Sequence, residues 1–171
     1  RMQFPTILML DMVFEKSPSE LSPAVLEREF KISLSLAIEI EKALQASEER
    51  IAKRITALSC CHARTRSPSA IMAYLAAFYN KTYDEAREIV SKNYNKNSSQ
   101  AGGQLVDRLE RYRDVVTRVY EQCASLQSFN NKEKLDFLSQ VLSAAIFSKQ
   151  KFKKVFDEQI EALIKIGRAH V

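Results

Sequence analysis

A cysteine closes a short apolar run, an arginine follows six positions later, and a helix start comes directly after. Few folds accommodate that order. The string is Ser59-Cys60-Cys61-His62-Ala63-Arg64-Thr65-Arg66-Ser67-Pro68. Residues 55–60 are apolar enough to read as a buried strand, and residues 67–79 carry helical spacing. A strand that ends in a loop and feeds a helix gathers loop N–H groups and the positive helix end around one point. A thiol held there is pulled toward thiolate, the form that attacks. An arginine there offers two parallel donors to an oxyanion, which a lysine cannot. Cys60 therefore reads as a nucleophile and Arg66 as the anion-binding fork. Cys61, His62, Ala63, Arg64 and Thr65 supply the N–H cradle. The register is open between two thiols. Cys60 leaves five residues before Arg66 and Cys61 only four, and five suit a wrapped anion better.

The rest of the chain sets these groups in an α/β frame. Residues 4–10 form a second apolar run, ending at Asp11, and Ser17-Pro18-Ser19 marks a loop. Ser22-Pro23 is a helix start, hydroxyl at the N-cap and proline at the first position. Leu26, Phe30, Leu34, Ile38 and Leu44 then trace an amphipathic helix to about Glu49. A β-loop-α-β unit follows, with parallel strands and a right-handed crossover. Asp11 and Cys60 both fall at carboxyl ends of strands, where reactive groups gather. Ile71, Tyr74, Leu75 and Phe78 share a face of the helix after the loop. Thr82-x-x-Glu85 is a capping box that opens the next helix, to about Asn93. Residues 94–103 read as a loop. Leu109, Tyr112, Val116, Val119, Cys123 and Leu126 then alternate steps of three and four, a coiled-coil-like seam. Asn130-Asn131 breaks it, and Leu135, Leu138, Leu142 and Ala145 precede Phe152, Phe156, Ile160 and Leu163. The expected architecture is a short parallel sheet remnant of about two strands surrounded by helices. Residues 1–112 form the first unit and a helical extension covers 113–165.

Arg66-Ser67-Pro68-Ser69-Ala70 through Ala73-Tyr74-Leu75, followed by Thr82-Tyr83-Asp84-Glu85-Ala86, resembles the signature and following helices of the dual-specificity (tyrosine/serine/threonine) protein phosphatases. Asn97-Ser98-Ser99-Gln100 through Gln104-Leu105 is similar to the start of that family's last helix, and residues 7–11 to the strand that delivers its general acid. The resemblance spans roughly the first two thirds of the chain and is most specific from Arg66 to Ala86. It implies a phosphocysteine mechanism in which Cys60 attacks phosphorus and Arg66 holds the equatorial oxygens. Asp11 protonates the leaving oxygen, and the Ser67 hydroxyl helps the cysteine leave in the second step. It implies a phosphorylated protein substrate and no metal or cofactor. Two positions depart from the family pattern: Ser59 replaces the histidine before the cysteine, and Ala63 replaces a loop glycine. A catalytically inactive, phosphatase-like or helical scaffold that binds a protein partner through the Leu105–Leu126 seam is the competing reading.

Composition narrows the setting. The chain has 171 residues, 46% hydrophobic and 27% charged, enough for one sizeable core. Three glycines and no tryptophan favour helices over a turn-rich β fold. Three cysteines, two of them adjacent, cannot build a disulfide framework, which points to a reducing, cytoplasmic setting. No apolar run approaches a membrane span. The net charge of +5 is spread along the chain and does not argue for nucleic acid. The basic run from Lys149 to Lys154 reads as a solvated helix face. An arginine at position one, with a strand almost at once, reads as a start inside a domain. Residues 166–171, Ile-Gly-Arg-Ala-His-Val, resemble a translated sequencing adapter and are given no part in the fold, so His170 is given no role.

Overall fold

The computed structural model of the chain describes residues 22–49, 66–97 and 109–169. Among them every regular element is helical: α1 (Pro23–Glu49), α2 (Arg66–Tyr79), α3 (Tyr83–Asn97), α4 (Arg113–Cys123), α5 (Asn131–Ser148) and α6 (Phe152–Ala169). Short 3₁₀ turns, Glu110–Tyr112 and Ala124–Leu126, flank α4. The α/β architecture is thereby corrected: the described residues are all-α and contain no strand. The two runs read as strands, 4–10 and 55–60, lie outside the described residues. A parallel sheet was expected as the common support on which α1 and α2 bury their apolar faces. Instead the helices bury them against one another.

Local chemistry explains where the helices start and stop. The Ser22 hydroxyl accepts from Val25 N–H (3.3 Å) and its carbonyl from Leu26 N–H (2.9 Å), an N-cap ahead of Pro23. Thr82 and Glu85 form the anticipated capping box. Glu85 N–H donates to Thr82 Oγ1 (3.3 Å), and Thr82 N–H to Glu85 Oε1 (3.2 Å). The Thr82 N–H and hydroxyl, both donating to Glu85 Oε1, hold that carboxyl below the usual carboxylate range. Asn130 and Glu133 repeat the device at α5, at 2.8 and 3.1 Å. At its other end α5 closes in a Schellman motif. Lys149 takes φ 56°, with its N–H on Ile146 O (3.3 Å) and Gln150 N–H on Ala145 O (3.1 Å).

Helix α2 lies at the centre, packed on α1, α3 and α4, while α5 packs on α1 and α6 on α5. Its sequence permits this. Ala70, Met72, Ala73, Ala76, Ala77 and Phe78 are all buried, a wider face than the Ile71–Tyr74–Leu75–Phe78 stripe anticipated, and Ile71 itself is exposed. Small side chains on several sides let neighbouring backbones approach from more than one direction. The seam is buried at every described position, Leu109, Tyr112, Val116, Val119, Cys123 and Leu126. Because α4 packs on α1 and α2, that seam is spent inside this chain. A single apolar core joins Phe30, Phe78, Val116, Leu138 and Phe156. Tyr83 fixes α3 to the segment before α4. Its hydroxyl donates to Glu110 Oε2 (3.2 Å), and the Arg113 guanidinium lies 4.4 Å over its ring. Burial, then the neighbouring Glu110, pushes its phenol up to about 12.

Glu27 on α1 is the polar hub. Its Oε1 accepts the first N–H of α6, from Phe152, at 2.8 Å, so a side chain from another helix caps α6. Its Oε2 pairs with Arg118 of α4, whose guanidinium stacks 4.7 Å from the Phe30 ring. Two turns of chemistry thus meet on one carboxylate. Replacement by Ala (Glu27→Ala) orphans the Phe152 N–H and the half-buried Arg118 together, and should cost about 2 kcal/mol. The measurement is the urea midpoint at unchanged m-value; a loss under about 0.5 kcal/mol would show that α6 is held by apolar contacts alone.

Glu29, two residues on, is fully buried, and neither carboxylate oxygen has a hydrogen-bond partner. Burial raises its pKa above 4.5, only partly opposed by the Arg28 guanidinium 3.9 Å away. An acid whose folded pKa is raised binds more protons folded than unfolded. Its stability contribution is complete below about pH 4.5 and is lost as pH rises through the folded pKa. Glu29→Met should therefore raise the melting temperature at pH 7 and lose that advantage below pH 4.5, measured as Tm against pH for both chains.

Candidate functional site

The two ends of α2 are the places where chemistry gathers. At the N-terminal end, Arg66 is the first helical residue and Ser67 the second, half-buried. Pro68 sits within the first turn, where no N–H is missed. Pro68, Ser69 and Ala70 are buried and anchor that turn to the core. No acidic side chain lies in the first turn, so the positive end of the helix dipole is not neutralised by its own carboxylates. Cys60, Cys61, His62, Ala63, Arg64, Thr65 and Asp11 lie outside the described residues. Arg66 and Ser67 alone of the anticipated site are therefore placed, side by side at the opening of α2.

At the C-terminal end a polar network appears that sequence reasoning missed. Tyr74 donates its hydroxyl proton to Glu41 Oε2 at 2.8 Å. Gln45, one turn along α1, donates from Nε2 to Glu41 Oε1 at 3.0 Å. The Tyr79 hydroxyl lies 3.4 Å from that of Tyr74. Tyr74 has one proton, and the shorter bond places it on Glu41. Burial, then the bonds to Tyr79 and Glu41, raises the Tyr74 phenol well above its ordinary value. An open cleft of about 340 Å³ lies over the network, lined by Glu41, Leu44, Gln45, Tyr74, Tyr79 and the Asn130–Lys132 turn.

Lys134 closes the same end from beneath. Its side chain is 5% exposed, and Nζ donates to Phe78 O at 3.1 Å, a cation on the C-terminal carbonyls of α2. Burial lowers its pKa, while Cys123 and Glu41 nearby act the other way. Asn80, at φ 53°, turns the chain out of α2, and Lys81 N–H returns to Leu75 O at 3.2 Å. The signal for this site was present but weak: Glu41 and Gln45 stand four apart on one helix face, and Lys134 falls in an otherwise apolar stripe. Among the described residues no three His, Cys, Asp or Glu side chains converge as a metal would need, and no helix is long and apolar enough to cross a membrane.

Compared with known proteins, the chain matches no family model, no curated protein and no solved structure.

Cys123, the one cysteine among the described residues, belongs to the core. Its thiol is buried and pushed up to about 12 by loss of solvent, with Lys134 only partly offsetting. Native Cys123 should react with iodoacetamide at pH 8 at least about 100-fold more slowly than in urea, since thiolate and access are both lacking. Mass spectrometry of the labelled chain checks this; fast native labelling at Cys123 would mean that the α1–α2–α4 core opens readily.

Proposed function

We propose that this chain is a cysteine-dependent protein phosphatase of the dual-specificity type, acting through a phosphocysteine on phosphotyrosine, phosphoserine or phosphothreonine. Cys60 is the nucleophile, Arg66 and the N–H groups of residues 61–65 hold the phosphoryl oxygens, and Asp11 is the general acid. Ser67 assists departure of the thiolate. The chemistry needs no metal, and it suits a reducing, cytoplasmic compartment where the thiol stays free.

One observation supports this reading above the others: α2 opens at Arg66, directly after the Cys60-x5-Arg66 string, with a first turn free of carboxylates. An anion at that point meets the positive end of the helix dipole. The capping box at Thr82 and Glu85 adds that the resemblance to the phosphatases coincides with helix boundaries. A parallel sheet forms no part of the proposal.

A second reading, an inactive phosphatase-like scaffold, gains from one feature. Phe147 near the end of α5 is 93% exposed beside a half-exposed Ile146, an apolar pair in water. The seam named earlier does not serve that reading, being buried.

The deciding experiment is hydrolysis of an aryl phosphate by the wild-type chain, Cys60→Ser and Cys61→Ser. Cys60→Ser should abolish turnover, while Cys61→Ser keeps most of it, because only Cys60 leaves five residues before Arg66. Loss in Cys61→Ser alone would move the nucleophile by one position. Vanadate binding without any turnover in the wild type would favour the scaffold. In an active chain, Asp11→Asn should slow poor leaving groups far more than good ones, by about 10²–10⁴-fold for a positioned acid.

A further inference from the structure

We propose that the cleft at the C-terminal end of α2 binds a basic side chain, the guanidinium or ammonium of a peptide arginine or lysine. The argument rests on which hydrogen-bonding roles remain after the internal network is satisfied. Tyr74 spends its only proton on Glu41, while the half-exposed Tyr79 hydroxyl, 3.4 Å from that of Tyr74, can turn toward the cleft. Gln45 spends an amide N–H on Glu41, which leaves its carbonyl oxygen to accept. Glu41 is acceptor-only. The inner wall therefore offers the remaining Glu41 lone pairs and the Gln45 carbonyl as acceptors, beside the second Gln45 N–H and the rotatable Tyr79 hydroxyl.

Charge points the same way. Glu41 is 5% exposed, and among the described residues no lysine or arginine pairs with it within 4.0 Å. Lys134 below, with its ammonium on Phe78 O, and Lys132 at the cleft lining are the nearby cations, and neither comes within 4.0 Å of the Glu41 carboxylate. A carboxylate so enclosed gains strongly from a cation that can also donate hydrogen bonds. Tyr79, half exposed, adds an aromatic ring at the cleft for that cation, and Leu44 an apolar patch for its alkyl stem. The cleft is open to solvent along one side, as a side chain delivered on a peptide needs, whereas a free small molecule is usually more enclosed. Asn130 and Asn131 at the rim offer side-chain amides to a peptide backbone.

This site is independent of the phosphatase reading. The 14 residues of α2 put its two ends about 20 Å apart at 1.5 Å per residue. Cys60→Ser should leave the cleft untouched, so either idea can fail without the other.

The test titrates the whole chain, followed by two-dimensional amide NMR, with capped Gly-Arg-Gly, its lysine counterpart, its glutamate counterpart and a neutral citrulline isostere. Saturable shifts at the Asn130–Lys132 turn and around Tyr79 are expected with arginine and lysine, and no saturation with citrulline or glutamate. Glu41→Gln should weaken binding by about tenfold and Tyr79→Phe by a smaller factor. Citrulline binding as tightly as arginine would overturn the proposal, as would an unchanged affinity in Glu41→Gln. Preferred binding of the glutamate peptide would also overturn it, making Lys132 and the α5 N-terminus the binding elements. Should Glu41→Gln unfold, Tyr79→Phe decides alone, and an affinity equal to wild type would then sink the idea.

Discussion

Close packing around α2 fixes the position of everything else of interest. Ala70, Ala73, Ala76 and Ala77 leave room for α1 and α4 to lie against it, and Met72 and Phe78 fill what the alanines do not. A helix buried on most of its circumference cannot rotate or slide without opening voids. The N-terminal end presents Arg66 and Ser67, and the C-terminal end presents Tyr74 and Tyr79 to Glu41 across the α1 contact. Bulkier residues at the alanines would push α1 outward, and the 2.8 Å bond from Tyr74 to Glu41 would be among the first casualties.

Polar interactions in this core act as registers more than as glue. Glu27 ties α1 to α4 and to the first N–H of α6, and Lys134 ties α5 to the last turn of α2. Each satisfies a helix terminus that would otherwise be buried with open donors or acceptors. Each also selects one axial position of a helix against its neighbour, which apolar contact alone does weakly. Glu29 is the exception, a buried carboxylate with nothing to satisfy, and it charges the fold a cost that grows with pH.

Local signals were the legible part. Ser22-Pro23 and Thr82-x-x-Glu85 announced helix starts because a cap is a short-range bargain between a side chain and N–H groups within a turn. The periodicity from Leu109 to Leu126 announced burial for a similar reason, since one helix face suffices to define it. What covers a face is a long-range matter, and there the reading failed. A sheet was assigned as the support for α1 and α2, yet the described helices support each other. The seam was offered to a partner, yet α1 and α2 already occupy it. Tyr74 was read as one more member of an apolar stripe, because its hydroxyl partner stands 33 positions earlier. Of the anticipated catalytic set only Arg66 and Ser67 fall among the described residues, and their place at the first turn of α2 follows from the same short-range chemistry.

The two ends of α2 differ in the charge they favour, and the helix dipole accounts for only one of them. Its first turn carries no acidic side chain, so the positive end of the dipole is not neutralised from within the helix. Its negative end is already met by the buried Lys134, so the dipole is not what makes the cleft attractive to a cation. The Glu41 carboxylate, fixed by Tyr74 and Gln45 and without a lysine or arginine within 4.0 Å among the described residues, does that instead. The two ends therefore differ in mechanism as well as in sign. At the first the preference comes from the backbone dipole, which no single side-chain substitution removes. The second depends on a single carboxylate, so its affinity should collapse with one substitution.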